Sequence, residues 1–265
     1  MHRPRKDPWR RLARWTPARV ALGRTGASLP TREVLAFASA HACARDAVHA
    51  SFDADGISRR LAALQLETLA AETDAVDRAV FLRRPDYGRR LSRASRERLA
   101  GRTWAGADLA LVIGDGLSAA AVCAHAVPLV AAFLPHAASL QLSLAPVVIA
   151  RGARVALGDE IGSLMRVRVV AMLIGERPGL SAPDSLGIYL TYGPRPGRTD
   201  AERNCISNVR PSGLGYDIAA FKLAWLVREA LKRSLSGVAL KDESDALVRA
   251  GETTSVLVQP RGGKD

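Results

Sequence analysis

From Asp108 onward the chain alternates short apolar runs with longer helical patterns, and that alternation restricts it to few folds. Leu109-Ala110-Leu111-Val112-Ile113 leads through Gly114-Asp115-Gly116 into a helical stretch from about Ser118 to Phe133. Ala145-Pro146-Val147-Val148-Ile149 leads into a short helix around Asp159 to Met165, and Val167 to Ile174 forms a third apolar run. Parallel strands need a crossover connection, usually a helix, so the pattern predicts a mostly parallel sheet covered on both faces. Residues 107–242 are read as this Rossmann-like three-layer domain. It closes with a packing helix over Ile218 to Lys232 that places Leu223, Leu226, Val227 and Leu231 on one side.

The preceding residues follow a different grammar. Residues 1–24 form a basic arm with Pro4, Pro8 and Pro17, and with Trp9 and Trp15 suited to a partner surface. Residues 25–106 are read as an N-terminal helical region. Thr31 stands in N-cap position for a helix to about Ala50, and Gly56 to Leu69 repeats Ile57, Leu61, Leu64 and Leu69 near helical spacing. Residues 243–265 are read as a C-terminal tail. The fold class is therefore α/β, helical first and then a mostly parallel sheet.

A net charge of +12 suggests nucleic acid at first sight. The first 24 residues, however, hold eight Arg and Lys against the single Asp7, so +7 of the excess belongs to the arm. Aromatics make up only 5% of the chain and are not interleaved with basic residues across a domain, which argues against RNA binding. The apolar run near Ala119 to Leu134 is broken by His125 and Pro128, so no membrane span is expected. The basic start is followed by no apolar core, and a cytoplasmic location is expected. Cys43, Cys123 and Cys205 are odd in number and far apart, as reduced thiols are. Cys43 and Cys123 fall in helical apolar patterns and read as small buried side chains, whereas Cys205 reads as part of a polar loop.

The chemistry gathers after the third apolar run. Val169-Val170-Ala171-Met172-Leu173-Ile174 breaks into Gly175-Glu176-Arg177-Pro178-Gly179-Leu180, and a second strand, Leu186 to Tyr192, precedes the polar segment Asp200 to Asn208. In open α/β sheets ligands sit outside the carboxyl ends of the strands. Glu176 and Arg177 could equally form a surface ion pair of little energetic weight. Gly114-Asp115-Gly116-Leu117-Ser118 could receive an anion at a helix start, but it lacks the full dinucleotide fingerprint and the Walker Lys-Ser/Thr. A tight turn with Asp115 or Ser118 capping the helix explains it locally. A nucleotide-binding α/β enzyme and a basic RNA-binding module are the alternatives these residues leave.

Further segments stand out along the chain: Gly23-Arg24-Thr25-Gly26, His41-Ala42 with Arg45-Asp46-Ala47-Val48, Arg84 to Leu91, Gly114 to Ser118, Gly158 to Gly162, Gly175 to Leu180, Cys205 to Asn208 and Ser236-Gly237-Val238. Taken together, they closely resemble the small (light) subunit of ethanolamine ammonia-lyase. The resemblance runs in order from roughly Pro17 to Lys241. It implies a subunit without catalytic residues of its own in an adenosylcobalamin-dependent lyase that converts ethanolamine to acetaldehyde and ammonia. The implied partner is the large subunit, which binds ethanolamine, and no nucleic acid or membrane is involved.

The family's cobalamin-contacting positions match Val155, Glu176 and Cys205 here. Their chemistry suits a broad ring rimmed with amides: Glu176 accepts from an amide N–H, Val155 offers apolar contact, and Cys205 is small and polarizable. Arg154 is a weaker candidate, reading equally as a solvated strand-edge residue. The five histidines show neither metal spacing nor an Asp-x-His-x-x-Gly pattern, so cobalt coordination by this chain is not expected. Some family members carry a longer N-terminal extension linked to a bacterial microcompartment. The arm here is short and rich in Arg, Trp and Pro, so a cytoplasmic enzyme without a shell and one inside a microcompartment both remain open.

Overall fold

The chain's computed structural model describes residues 8–249. Six strands form one sheet: β1 (Thr68–Glu72), β2 (Ala107–Gly114), β3 (Val147–Arg151), β4 (Val167–Gly175), β5 (Leu186–Tyr192) and β6 (Asn204–Val209). Their spatial order is β1-β3-β2-β4-β5-β6. The first four are parallel, while β5 and β6 add antiparallel at one edge. The α-helices are α1 (Thr31–His49), α2 (Ala54–Ala62), α3 (Arg78–Arg83), α4 (Arg93–Ala100), α5 (Ala119–Ser139), α6 (Leu157–Leu164), α7 (Tyr216–Arg233) and α8 (Ser244–Arg249).

Strand alternation builds two cores. In β2 and β4, Leu109, Leu111, Ile113, Val169, Ala171 and Leu173 point to the face covered by α5 and α7. Ala110, Val112, Val170, Met172 and Ile174 point to the opposite face, covered by α6 and α4. Both faces are thus apolar, which is why these strands read as continuous hydrophobic runs in the sequence. The α/β expectation is met, with helices on each side of a mostly parallel sheet.

Several local expectations need correction. The region 25–106 is not helical throughout, because β1 lies within it and pairs along its whole length with β3. The helix expected to reach Leu69 ends at Ala62, and Gln65 takes a left-handed backbone (φ 61°) that turns the chain into β1. Pro30, not Thr31, is the N-cap of α1, and no side chain caps that helix. The run expected to stop near Phe133 continues as α5 to Ser139 through Pro128 and Pro135. By length and composition α5 could cross a membrane, but half of its most apolar window is buried in this fold, against the sheet and α7. Cys43 is exposed and Cys123 half-buried, because α1 packs little of its surface and α5 turns Cys123 toward the margin of the core. Within the expected tail, α8 lies against α7 through Lys222 and Asp245. Residues 1–7 of the arm and 250–265 of the tail lie outside the described residues.

Candidate cofactor site at the sheet's carboxyl edge

The chain leaves β2 toward β3 on one side and leaves β4 toward β5 on the other, so the connections diverge between β2 and β4. A crevice at such a divergence is the standard ligand position of an open α/β sheet. A cavity of about 430 Å³ lies there, within the size range of small-molecule sites. Gly116 and Leu117 after β2, Ile174 to Arg177 at the end of β4, Arg154 and Val155 after β3, and Tyr189 of β5 form its wall.

Two glycines permit this convergence. A Cβ on Gly116, whose φ is +56°, would stand 2.3 Å from the Gly175 carbonyl oxygen, and one on Gly175 would stand 2.1 Å from that of Ser118. Only glycine allows the two loops to touch, and Leu117 N donates to Gly175 O at 2.9 Å. Ser118 caps α5 by accepting from Ala121 N, and its hydroxyl donates to the Pro183 carbonyl. Asp115 does not cap the helix. Its Oδ1 accepts from Ala153 N at 2.8 Å and Gly116 N at 3.1 Å, tying the β2 loop to the β3 loop.

Behind the wall Arg78 joins three segments, donating to Val48 O (2.7 Å), Gly116 O (2.7 Å) and Leu117 O (3.1 Å). Its guanidinium also lies 3.6 Å from Asp115 and over the buried Phe81 ring. Burial pushes the Asp115 carboxyl above its ordinary value despite these donors, and burial lowers Arg78. Arg154 also lies over Phe81, at 4.1 Å from the ring centroid, and donates to the Phe81 carbonyl. It is therefore not a solvated strand-edge residue. Its Nε is buried without a partner among the described residues, so the cavity wall holds an unused donor.

Of the three predicted positions, the fold brings Val155 and Glu176 to this wall. Glu176 sits at the start of the β4–β5 loop, where its backbone N donates to Ser185 O at 3.0 Å. Its Oε2 accepts from the Ser185 hydroxyl and, at 3.4 Å, from Asn208 N. Oε1 has no partner among the described residues, leaving one carboxylate oxygen for a ligand. Glu176 and Arg177 form no ion pair among the described residues. Cys205 does not line the cavity and is not in a loop: it lies on edge strand β6, exposed, directly opposite Tyr189. Desolvation and the Glu176 carboxylate hold its thiol above the ordinary value, so it stays neutral. Desolvation and Cys205 likewise raise Tyr189, which keeps its hydroxyl proton.

Tyr189, Leu117, Arg78 and Asp115 were not singled out by their sequence as parts of one site. The alternation of β5 carried a signal for Tyr189, since Leu186, Ile188 and Leu190 point to one core and Tyr189 to the other face. Together the wall offers an acceptor in Glu176, donors in Arg154 and Arg177, and apolar cover in Val155, Leu117 and Ile174. That set fits a large, mostly neutral ligand edged with amides. The volume admits an edge of such a ligand, so the rest would lie against another surface.

The profile of the family described as "Ethanolamine ammonia-lyase light chain (EutC)" matches residues 6–241. A protein from Rhodopseudomonas palustris named "Ethanolamine ammonia-lyase small subunit" is 58% identical over 235 residues, 89% of this chain and 90% of its own length. Proteins of the same name from Bradyrhizobium diazoefficiens (60% over 234 residues, 88% and 90%) and Pseudomonas fluorescens (54% over 242 residues, 90% and 88%) are similarly close.

Proposed function

Because the chain belongs to the ethanolamine ammonia-lyase light-chain family, we propose that its cavity grips one edge of adenosylcobalamin while the large subunit covers the remainder. When bound, that cofactor supplies radical chemistry through its cobalt–carbon bond, by which ethanolamine becomes acetaldehyde and ammonia. This chain's residues bind and orient. Glu176 Oε1 accepts an amide N–H, Arg154 and Arg177 donate to amide carbonyls, and Val155, Leu117 and Ile174 keep water from the apolar face. Cys205 and Tyr189 extend that surface across β5 and β6 as a neutral thiol and a protonated phenol. The chain contributes no acid, base or nucleophile to turnover, and activity belongs to the complex. Ethanolamine contacts lie in the large subunit.

The observation that carries this reading is the Glu176 carboxylate at the cavity wall, with one oxygen held by Ser185 and the other without a partner among the described residues. Glu176→Gln in the assembled complex removes the charge but keeps an acceptor. Losing charge assistance costs about 1 kcal/mol, so adenosylcobalamin affinity falls about fivefold. Glu176→Leu removes the acceptor and strands an amide, a loss on the order of tenfold or more. Titration of both complexes with adenosylcobalamin, after assembly is verified, measures this, and unchanged affinity in both removes Glu176 from the site.

A further inference from the structure

Ten large apolar side chains are exposed among the described residues, and seven of them precede residue 38. Leu29, Val34, Leu35 and Phe37 belong to or adjoin α1, and Trp9, Leu12 and Trp15 lie in the arm before it. Leu35 is 64% exposed and Trp15 87%. Helix α1 runs for 19 residues, yet Ala47 is its single buried position. Helices in proteins draw most of their stability from packing an apolar face rather than from intrinsic propensity. Arg19 lies against α1, its guanidinium 5.5 Å from the Phe37 ring. The exposed apolar side chains thus crowd one stretch of the chain, Trp9 to Phe37. Around it, residues 11–49 carry six arginines against Glu33 and Asp46, a net +4.

One side chain links the end of α1 to the cavity wall. Arg78 donates to Val48 near the end of α1 and to Gly116 and Leu117, which line the cavity. A body that covers the cavity mouth and extends past this link would meet α1. A second copy of the chain is a poor occupant, because it would set two like-charged surfaces face to face.

We propose that the arm and the exposed face of α1 are the principal docking surface for the large subunit, received in an apolar groove edged with carboxylates. This rests on the reading of the chain as a small subunit that closes over a cofactor against that partner. Apolar anchors set the stability of the interface, and the arginines set its rate of formation and its salt dependence.

The test titrates the full-length chain with its purified large subunit, without cofactor, by sedimentation. Leu35→Asp combined with Phe37→Asp weakens association on the order of thirtyfold or more. Arg19→Glu combined with Arg24→Glu weakens it less and flattens its dependence on salt, and this second pair decides the matter should the first misfold by circular dichroism. Unchanged affinity in a folded variant overturns the proposal. So does self-association of the wild-type chain that the first pair abolishes while large-subunit affinity is retained. Adenosylcobalamin titration of the wild-type complex is read separately: an assembled complex that binds no cobalamin refutes the cavity reading, not the docking surface.

Discussion

The cavity half of the molecule and its N-terminal helix differ in where their support comes from. Around the cavity nearly every loop is fixed from within the chain. Arg78 serves three carbonyls, Asp115 ties two loops, and Ser185 holds Glu176. Below β6, Arg203 and Asp159 form a buried pair whose side chains are each 2% exposed, fixing the lead-in to β6 against α6. By contrast, α1 has no side-chain cap and one buried residue, and it keeps three large apolar side chains in solvent. One half is finished as folded, whereas the other would be finished by the proposed docking of a partner. A subunit that must present a prepared surface and also be captured would divide its stability in this way.

Breaking the self-supported half should cost most. Arg203→Met leaves Asp159 buried without its cation, and loss of one partner from a buried pair costs about 3 kcal/mol or more. Urea unfolding of the chain should show that loss, whereas Leu35→Asp on α1 should change stability by no more than about 0.5 kcal/mol. Equal costs for the two would remove the contrast.

The acid limit of the self-supported half gives a smaller, local effect. In the turn before β6, Glu202 accepts from Thr199 N at 2.7 Å and pairs with Arg198. The Thr199 backbone donor and then Arg198 lower its carboxyl to about 2. Since this lies below the ordinary glutamate value, the contacts of the ionised form are complete above that value. They are lost only as pH falls through about 2. A carboxyl-carbon NMR titration should place Glu202 there, and a midpoint near an ordinary glutamate would show that the turn is not held.

The sequence was legible where burial is two-sided. Strands β2 and β4 stand out as apolar runs because both faces meet a core, and β5 falls on Leu186–Tyr192 as expected. Strand β1, Thr68–Glu72, was not legible, since a short edge strand with two alanines has little pattern of its own and is defined by its register with β3. Strand β6 looked like a loop because only Ile206 and Val209 of its six residues turn inward. For the site, the Gly/Pro loop after β4 announced Glu176, but the support behind it did not show. Arg78 acts through carbonyls 30, 38 and 39 residues away, a relation that no local pattern encodes. Helix α1 misled in the opposite sense: its apolar pattern was genuine, but the fold leaves that face uncovered, so Cys43 is exposed.

Hydrogen exchange on the assembled complex, with and without adenosylcobalamin, tests the division most directly. The account predicts that peptides covering residues 112–118, 152–157 and 172–180 gain protection when the cofactor is added. Peptides from α1 should gain theirs on assembly and change little further. Protection by cofactor that falls elsewhere on the chain, with those three segments unaffected, would contradict the placement of the cofactor at the carboxyl edge of the sheet.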